Sequence, residues 1–326
     1  MAEGAGALVT GGTGFVGSHV VDVLLEAGYQ VRCTVRGSSR LRWLEGKPVE
    51  LVQADLRGAG LAGAVAGMGA VIHCAGLTRG SRRALFAANH DGTRALLDAC
   101  VDAGQPIRFV FCSSQAAAGP GAIDRPRAVD DPPAPTSDYG RSKLAAEEEV
   151  RRRADQLEVT VLRPVAVYGP RDEDTLPYFQ MARRGLIVAP GVRERRVQLV
   201  QARDVAQALR KAAEQPEAVG KTYFVGHPEV VSWRQLAAAI GRAVGRRPLI
   251  LPLPSAVLTA VGAAVELFGG GRRPGQIDRR RARDLVERAW TCRVDQAMEE
   301  LDWSPEYDLE NGFRDTADWY REEGWL

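Results

Sequence analysis

The chain of 326 residues is poor in the features that announce a specialised environment. Its five cysteines, Cys33, Cys74, Cys100, Cys112 and Cys292, show no CxxC spacing, and four of them fall inside apolar runs. This argues against a zinc site or any other metal centre and against a disulfide framework, and it fits a reducing, cytoplasmic setting. Charge of one sign is also missing: 43 Lys and Arg against 41 Asp and Glu leave a net +2, so nucleic acid and anionic membrane surfaces are not expected partners. No basic segment precedes an apolar core at the start, where MAEGAGALVTGG runs straight into a strand, so no signal peptide is expected. There is no internal repeat or low-complexity tract. One long uncharged run exists, the 17 residues 249–265, but Pro252 and Pro254 break its first third and its length is at the lower edge for a membrane span. A buried or pocket-lining helix over 255–268 is expected, with contact to a membrane interface as the alternative.

What is present is an ordinary globular composition, 45% hydrophobic and 26% charged, long enough for one large α/β domain with an appendage or for two domains. Short β-branched runs alternate with helical stretches: GALVT, YQVRCTVR, VELVQADL, AVIHCAG, IRFVFCSS and VTVLRPVAVYG. The first intervening helix, SHVVDVLLEAG, can end on Gly28 as a left-handed cap. Nearly all-apolar strands alternating with helices imply a doubly wound parallel sheet of the Rossmann type, because parallel strands need crossovers that cover both faces. After Gly169 the pattern loosens into a helix near 175–184, a strand RRVQLVQ, a helix DVAQALRKAAE, a strand KTYFVG and a helix over 233–244. Helices near 282–287, 295–301 and 310–322 follow, the last two joined by DWSPEYD. The expected division is a dinucleotide-binding domain over 1–168, rejoined by 203–226, and a smaller, mostly helical substrate lobe over 169–202 and 227–326.

Three stretches carry chemistry. TGGTGFVG places Gly11, Gly14 and Gly17 between the first strand and the first helix. Glycines there permit a tight turn and close approach of a pyrophosphate, whose charge then sits on the helix N-terminus. The second strand ends in Arg36, 19 residues after Gly17, with Ser38, Ser39, Arg40 and Arg42 close behind and no acid before Glu45. An acid at this place would hold a ribose 2′-hydroxyl and an arginine accommodates a 2′-phosphate, so NADP is favoured over NAD. SDYGRSKL then sets Tyr139 four residues before Lys143. On a helix the two lie one turn apart, so the cation can lower the phenol's pKa, although a surface tyrosine and lysine would give the same spacing.

Together TGGTGFVG, Asp55 in ADL, HCAG at 73–76, Asn89 in ANHDGTRALLDAC, FCSSQAAAG, YGRSK and LRPVAVYGP resemble the extended short-chain dehydrogenase/reductase family, of the NAD(P)-dependent epimerase/dehydratase type. The resemblance runs over nearly the whole chain. It implies a catalytic Ser114, 25 residues before Tyr139, with Ser113 as the alternative; Ser114 would hold a substrate oxygen, Tyr139 would donate or take its proton, and Lys143 would stabilise the tyrosinate and grip the nicotinamide ribose. It also implies cofactor contacts from Gly11, Gly14, Phe15, Val16 and Gly17 at the pyrophosphate, Arg36, Ser38 and Arg40 at the 2′-phosphate, and Asp55 and Leu56 at the adenine. Cys74, Ala75 and Gly76 would lie under the adenine ribose and pyrophosphate, and Pro164 and Val167 would border the nicotinamide. His73 reads as a core histidine. Asn89 reads either as the organiser of a buried polar network or as a residue bonding its own helix.

One departure carries information. Nucleotide-sugar epimerases and dehydratases of this family commonly have an asparagine after the sixth strand, where LRPVAVYGP has Pro164 and Val165. The run resembles instead the branch of 3β-hydroxysteroid dehydrogenases and dihydroflavonol reductases. The implied reaction is hydride transfer between NADP and a carbonyl or secondary alcohol on a small, moderately apolar substrate, in a homodimer. A nucleotide-sugar epimerase or dehydratase with tightly held NAD is the alternative. A non-catalytic dinucleotide sensor is a third, against which the retained Tyr139 and Lys143 count. The arginine-rich run at 272–283 reads as a solvated helix face or a binder of a phosphate-bearing substrate, and the basic stretches RRRAD and GVRERRVQ as solvated surface, although the resemblance puts the latter where the family has substrate loops.

Overall fold

A computed structural model describes residues 5–190, 194–254, 257 and 287–326. Its centre is a seven-stranded sheet in the order Thr222–Val225, Glu158–Pro164, Arg108–Cys112, Ala70–His73, Gly6–Thr10, Gln30–Val35, Val49–Gln53. Every neighbouring pair is parallel. The central strands are mostly apolar because both faces are covered and successive side chains enter different cores, whereas the edge strand Val49–Gln53 carries Glu50 and is largely exposed. Val9, Ile72 and Val110 join one core, under the helices Phe15–Glu26 and Ala202–Glu214. Leu8, Val71, Phe109 and Phe111 join the other, under Leu61–Val65, Gly92–Asp102 and Asp138–Arg151. Phe109 and Phe111 are fully buried, and truncating either to alanine would cost about 3–5 kcal/mol. Strand order reverses between Gly6–Thr10 and Ala70–His73, which opens a crevice at the carboxyl edge. Gly28 has φ +78° and ends the first helix as its sequence suggested.

A third core holds Tyr168, Phe179, Leu236, Ile240, Phe313 and Tyr320. It lies among the helices Leu176–Arg183, Trp233–Ala243 and Leu309–Glu322. The stretch RRVQLVQ, expected as one strand, is two: Arg196–Val197 pairs with Val231–Ser232 and Ala289–Trp290, and Leu199–Gln201 pairs with Ala166–Tyr168. Gln198 makes the switch. Its side-chain oxygen accepts from the Cys292 amide at 2.6 Å and its side-chain nitrogen donates to the His227 carbonyl at 3.2 Å, so the residue is spent on holding loops together.

Leu249–Leu253, expected to lead into a helix, is a strand running parallel to Leu186–Pro190. Prolines are tolerated in it because, among the described residues, both strands of this sheet are edge strands. The helices expected at 255–268 and 282–287 and the basic run at 272–283 lie outside the described residues, apart from Val257 and Glu287. Among the described residues no helix is long and apolar enough to cross a membrane, and no group of His, Cys, Asp and Glu could hold a metal ion.

Candidate active site

The glycine turn is built for close approach. Gly11 has φ +76°, and a Cβ there would lie 2.7 Å from the Ala75 nitrogen. A Cβ on Gly17 would lie 2.1 Å from the Gly11 carbonyl oxygen, while the Gly14 amide donates to that oxygen at 2.9 Å. The helix Phe15–Glu26 starts at Gly14 with no side-chain cap and no acid in its first turn. Its orphan N–H groups therefore remain for an anion, and both the shape and the polarity of this cradle fit a dinucleotide pyrophosphate. Phe15 and Val16 form the first turn of that helix, and Cys74 and Ala75 back the glycines, with the Ala75 amide on Thr10 Oγ1 at 3.3 Å. A Cβ on Gly76 would meet Asn89 Oδ1 at 2.8 Å.

At the far end of the edge, Arg36, Ser38 and Arg40 are exposed, in a turn where the Arg36 amide donates to Ser39 Oγ at 2.9 Å. Asp55 does not stand free. Arg57 clasps it through Nε at 3.1 Å, Nη2 at 2.7 Å and the backbone amide at 2.9 Å. Those bonds, with a smaller contribution from Arg36, hold the carboxyl down at about 2. Arg57 was not singled out in the sequence, although it follows the ADL signature by one residue. Leu56 lies beside Gly92, where an added Cβ would touch it at 3.0 Å.

The residues of the expected catalytic set come from two elements that meet. Ser114 follows the strand Arg108–Cys112 and caps the short helix Gln115–Ala118, its Oγ accepting from the Ala116 amide at 3.2 Å. Tyr139 is in the first turn of Asp138–Arg151, which Ser137 caps. Gly140 lets the two elements touch, since a Cβ there would be 2.2 Å from the Ala116 carbonyl oxygen. The Ser114 hydroxyl beside the Tyr139 phenol favours its ionised form, yet burial outweighs that influence and pushes the phenol up to about 12. This differs from the lowered phenol that the Tyr139–Lys143 spacing suggested. The reason is geometric: Lys143 Nζ donates to the Cys112 carbonyl oxygen at 2.7 Å and lies 4.1 Å from the centre of the Phe111 ring. Burial also lowers the pKa of the ammonium itself.

Beneath these residues lies a buried ionic network that the sequence reading missed. Glu147 Oε1 accepts from Ser113 Oγ at 2.6 Å and Arg163 Nε at 2.9 Å, and Oε2 accepts from Arg163 Nη2 at 2.7 Å and Arg151 Nη2 at 2.8 Å. Glu147 is fully buried and Arg163 is 2% exposed. Ser113 is thus turned inward to a carboxylate while Ser114 faces Tyr139. The signals were an arginine inside the apolar strand VTVLRP and a glutamate one turn beyond Lys143, because a buried charge must be paired.

Asn89 proves to be an organiser. From the π-helical turn Ala87–Asp91 it bonds the Leu77 amide at 2.7 Å, the Leu77 carbonyl at 2.9 Å and Ser142 Oγ at 2.9 Å. His73 is a core residue between Thr10 Oγ1 at 2.6 Å and Thr93 Oγ1 at 2.9 Å, pushed down to about 3 chiefly by burial. Pro164 closes the strand beside Arg108–Cys112, and Val167 packs half-buried against the larger core. The arginines of RRRAD are partnered, Arg151 with Glu147 and Arg152 and Arg153 with Glu149.

A seven-stranded parallel sheet with a glycine cradle and a serine, tyrosine and lysine at its carboxyl edge defines an NAD(P)-dependent enzyme of the extended short-chain dehydrogenase/reductase class. The profile of the NAD dependent epimerase/dehydratase family matches residues 7–226, and the chain belongs to that family. It is 30% identical to the ceramide reductase of Caulobacter vibrioides over 98% of this chain and 95% of that one. It is likewise 30% identical to a putative dihydroflavonol 4-reductase of Synechocystis, again over 98% and 95%. Among solved structures it resembles MoeE5 in complex with UDP-glucuronic acid and NAD, with a TM-score of 0.77 at 26% identity, over 98% of this chain and 100% of that one.

Proposed function

We propose that the protein is an NADP-preferring oxidoreductase that interconverts a carbonyl and a secondary alcohol on a small, moderately apolar substrate. The observation that carries this reading is the meeting of the Ser114 hydroxyl with the Tyr139 phenol, where Gly140 lets their two elements touch, with burial keeping the phenol protonated. A bound nicotinamide supplies or accepts hydride. Ser114 holds the substrate oxygen in place. Tyr139, still carrying its proton at neutral pH, hands it to that oxygen as negative charge develops there. Lys143, fixed on the Cys112 carbonyl, would hold the nicotinamide ribose when the cofactor is bound.

Preference for NADP rests on Arg36, Ser38 and Arg40 at the second strand's end, and on Asp55 being neutralised by Arg57 so that it does not repel a 2′-phosphate. An apolar substrate is supported by Pro164 and Val165 where sugar-nucleotide enzymes carry asparagine, and by relatives named as reductases. The same reading assigns 1–168 with 203–226 to the dinucleotide and the remainder to the substrate. Tyr139→Phe should abolish NADPH consumption with a panel of ketones while leaving NADPH affinity within about twofold, since only a hydroxyl is lost. Turnover equal to that of the unaltered enzyme would overturn the assignment.

A second reading, a nucleotide-sugar epimerase or dehydratase, is favoured by one feature, the likeness to a structure holding NAD and a UDP-sugar. Mass spectrometry of what dissociates on denaturation separates the two. Stoichiometric NAD supports the epimerase or dehydratase, and its absence the reductase.

A further inference from the structure

Cys74 and Cys112 sit on adjacent parallel strands, one residue beyond the register pair His73–Phe111. Neighbouring strands lie about 4.8 Å apart, inside the span of roughly 4.4–6.8 Å between the Cα atoms of a disulfide. Both side chains emerge on the same face of the sheet, against the core that holds Ile72 and Val110. Both residues are half-buried, whereas Cys33, Cys100 and Cys292 are buried. Neither side chain has a part in the proposed reaction, yet the backbones of both belong to the cleft. The Cys112 carbonyl holds Lys143, and Cys74 leads into Ala75, which lies so close behind the Gly11 turn that no Cβ fits between them.

We propose that Cys74 and Cys112 form a redox-active dithiol in the floor of the dinucleotide cleft, which exchanges with low-molecular-weight disulfides to close a Cys74–Cys112 bond and thereby weakens dinucleotide binding. The two thiols are unequal. The neighbouring Cys74 thiol and the Lys143 ammonium hold Cys112 below the ordinary thiol value, while Cys74, beside Cys112 and buried, is raised well above it. Cys112 is accordingly the attacking sulfur. Its thiolate attacks one sulfur of the small disulfide and expels a thiolate. Cys74 then gives up its proton and attacks Cys112 Sγ, expelling the second. The two expelled thiolates take up the two protons that the cysteines lose, so one small disulfide is reduced to two thiols as the dithiol is oxidised. Drawing Cys74 towards Cys112 strains the wall behind Gly11 and shifts the carbonyl that anchors Lys143. Cofactor and cross-link therefore compete.

The test uses the full-length protein, oxidised glutathione as probe and anaerobic buffer. Native incubation should lower the free thiol count from five to three, and peptide mapping should find residues 74 and 112 linked. Kd for NADPH, followed by fluorescence, should rise at least about tenfold and return with dithiothreitol. In Cys112→Ala oxidised glutathione should leave Kd unchanged. A count that stays at five, a lasting glutathione adduct on either cysteine, or a cross-linked protein with unaltered Kd would each overturn the proposal. The weakening of cofactor binding rests on the proposed oxidoreductase reading. If the reduced protein bound neither NADPH nor NADH that reading would fail, and the thiol count and peptide map would still decide the dithiol.

Discussion

The two ends of the sheet's carboxyl edge handle charge in opposite ways. Around the strands Arg108–Cys112 and Glu158–Pro164, Lys143, Glu147 and Arg163 are buried, and each has a named partner at hydrogen-bond distance. Around Gln30–Val35 and Val49–Gln53, Arg36, Arg40 and Arg57 stand in solvent, and only Arg57 grips a carboxylate. Buried charge is strong and fixed in direction but fatal to lose. Exposed charge is weak, adaptable and screened by salt. The first arrangement suits groups that must meet reacting atoms, and the second suits recognition of a mobile phosphate. Substitutions at the first end should therefore unfold or inactivate, while those at the second should alter affinity alone.

The largest effect is expected at Glu147. Replacing it with alanine leaves the Arg163 guanidinium buried with no carboxylate and the Ser113 hydroxyl with no acceptor, so stability should fall by about 3–5 kcal/mol. The Glu147→Ala, Arg163→Met double variant should lose clearly less than the sum of its single changes, because the unpaired charge is gone. Urea midpoints of the four proteins measure this. Additive losses would show that the pair is not coupled, and the contrast between the two ends would dissolve.

How far the sequence carried these conclusions depended on whether a residue's partner lay nearby in the chain. The glycine cradle, the alternation of strands and helices, and the helix bearing Tyr139 and Lys143 are local patterns, and each stands where its spacing put it. The direction of Lys143 was not legible, because its acceptor is a backbone carbonyl 31 residues away. Glu147 and Arg163 are 16 residues apart, and the pairing shows only once the helix lies on the strand. The break of RRVQLVQ at Gln198 depends on loops near 227 and 292. Leu249–Leu253 looked like the start of a buried apolar segment. Its partner Leu186–Pro190 carries no alternation to betray it, and Leu249 is in fact 69% exposed.

Between the two ends lies His19, a buried titratable group that behaves like the first. Its Nε2 donates to the Pro170 carbonyl at 2.9 Å, and burial, reinforced by Arg171, pushes the ring down to about 4. The unfolded chain takes up a proton near pH 6.5 and the folded ring refuses it until about pH 4. Stability is therefore full above 6.5 and drains as pH falls through that window. Down to pH 5 the loss from this residue is about 2 kcal/mol. Asp172 and Asp204, raised to about 6 by burial, act in the opposite sense, so the residue must be isolated by substitution. His19→Gln keeps a donor for Pro170, and its urea midpoint should fall less between pH 7 and pH 5 than that of the unaltered protein. An equal fall in both would mean that the imidazole is solvated.

The smallest effect on the fold, and the one that most sharpens the contrast, belongs to Arg36. Its guanidinium is exposed and has no bonded partner among the described residues, so Arg36→Ala should leave the urea midpoint where it is. What it should change is discrimination. Removing a cation from the 2′-phosphate's side of the cleft should weaken NADPH by about tenfold and NADH hardly at all. Added salt should imitate the substitution, because exposed charges lose most of their interaction beyond a Debye length of about 8 Å at physiological ionic strength. Titrating both dinucleotides at about 50 mM and about 500 mM salt tests this directly, since NADPH affinity should converge on that of NADH at high salt in the unaltered protein and be nearly salt-independent in the variant. Equal affinities for the two dinucleotides at low salt would show that the second strand's arginines are only solvated surface.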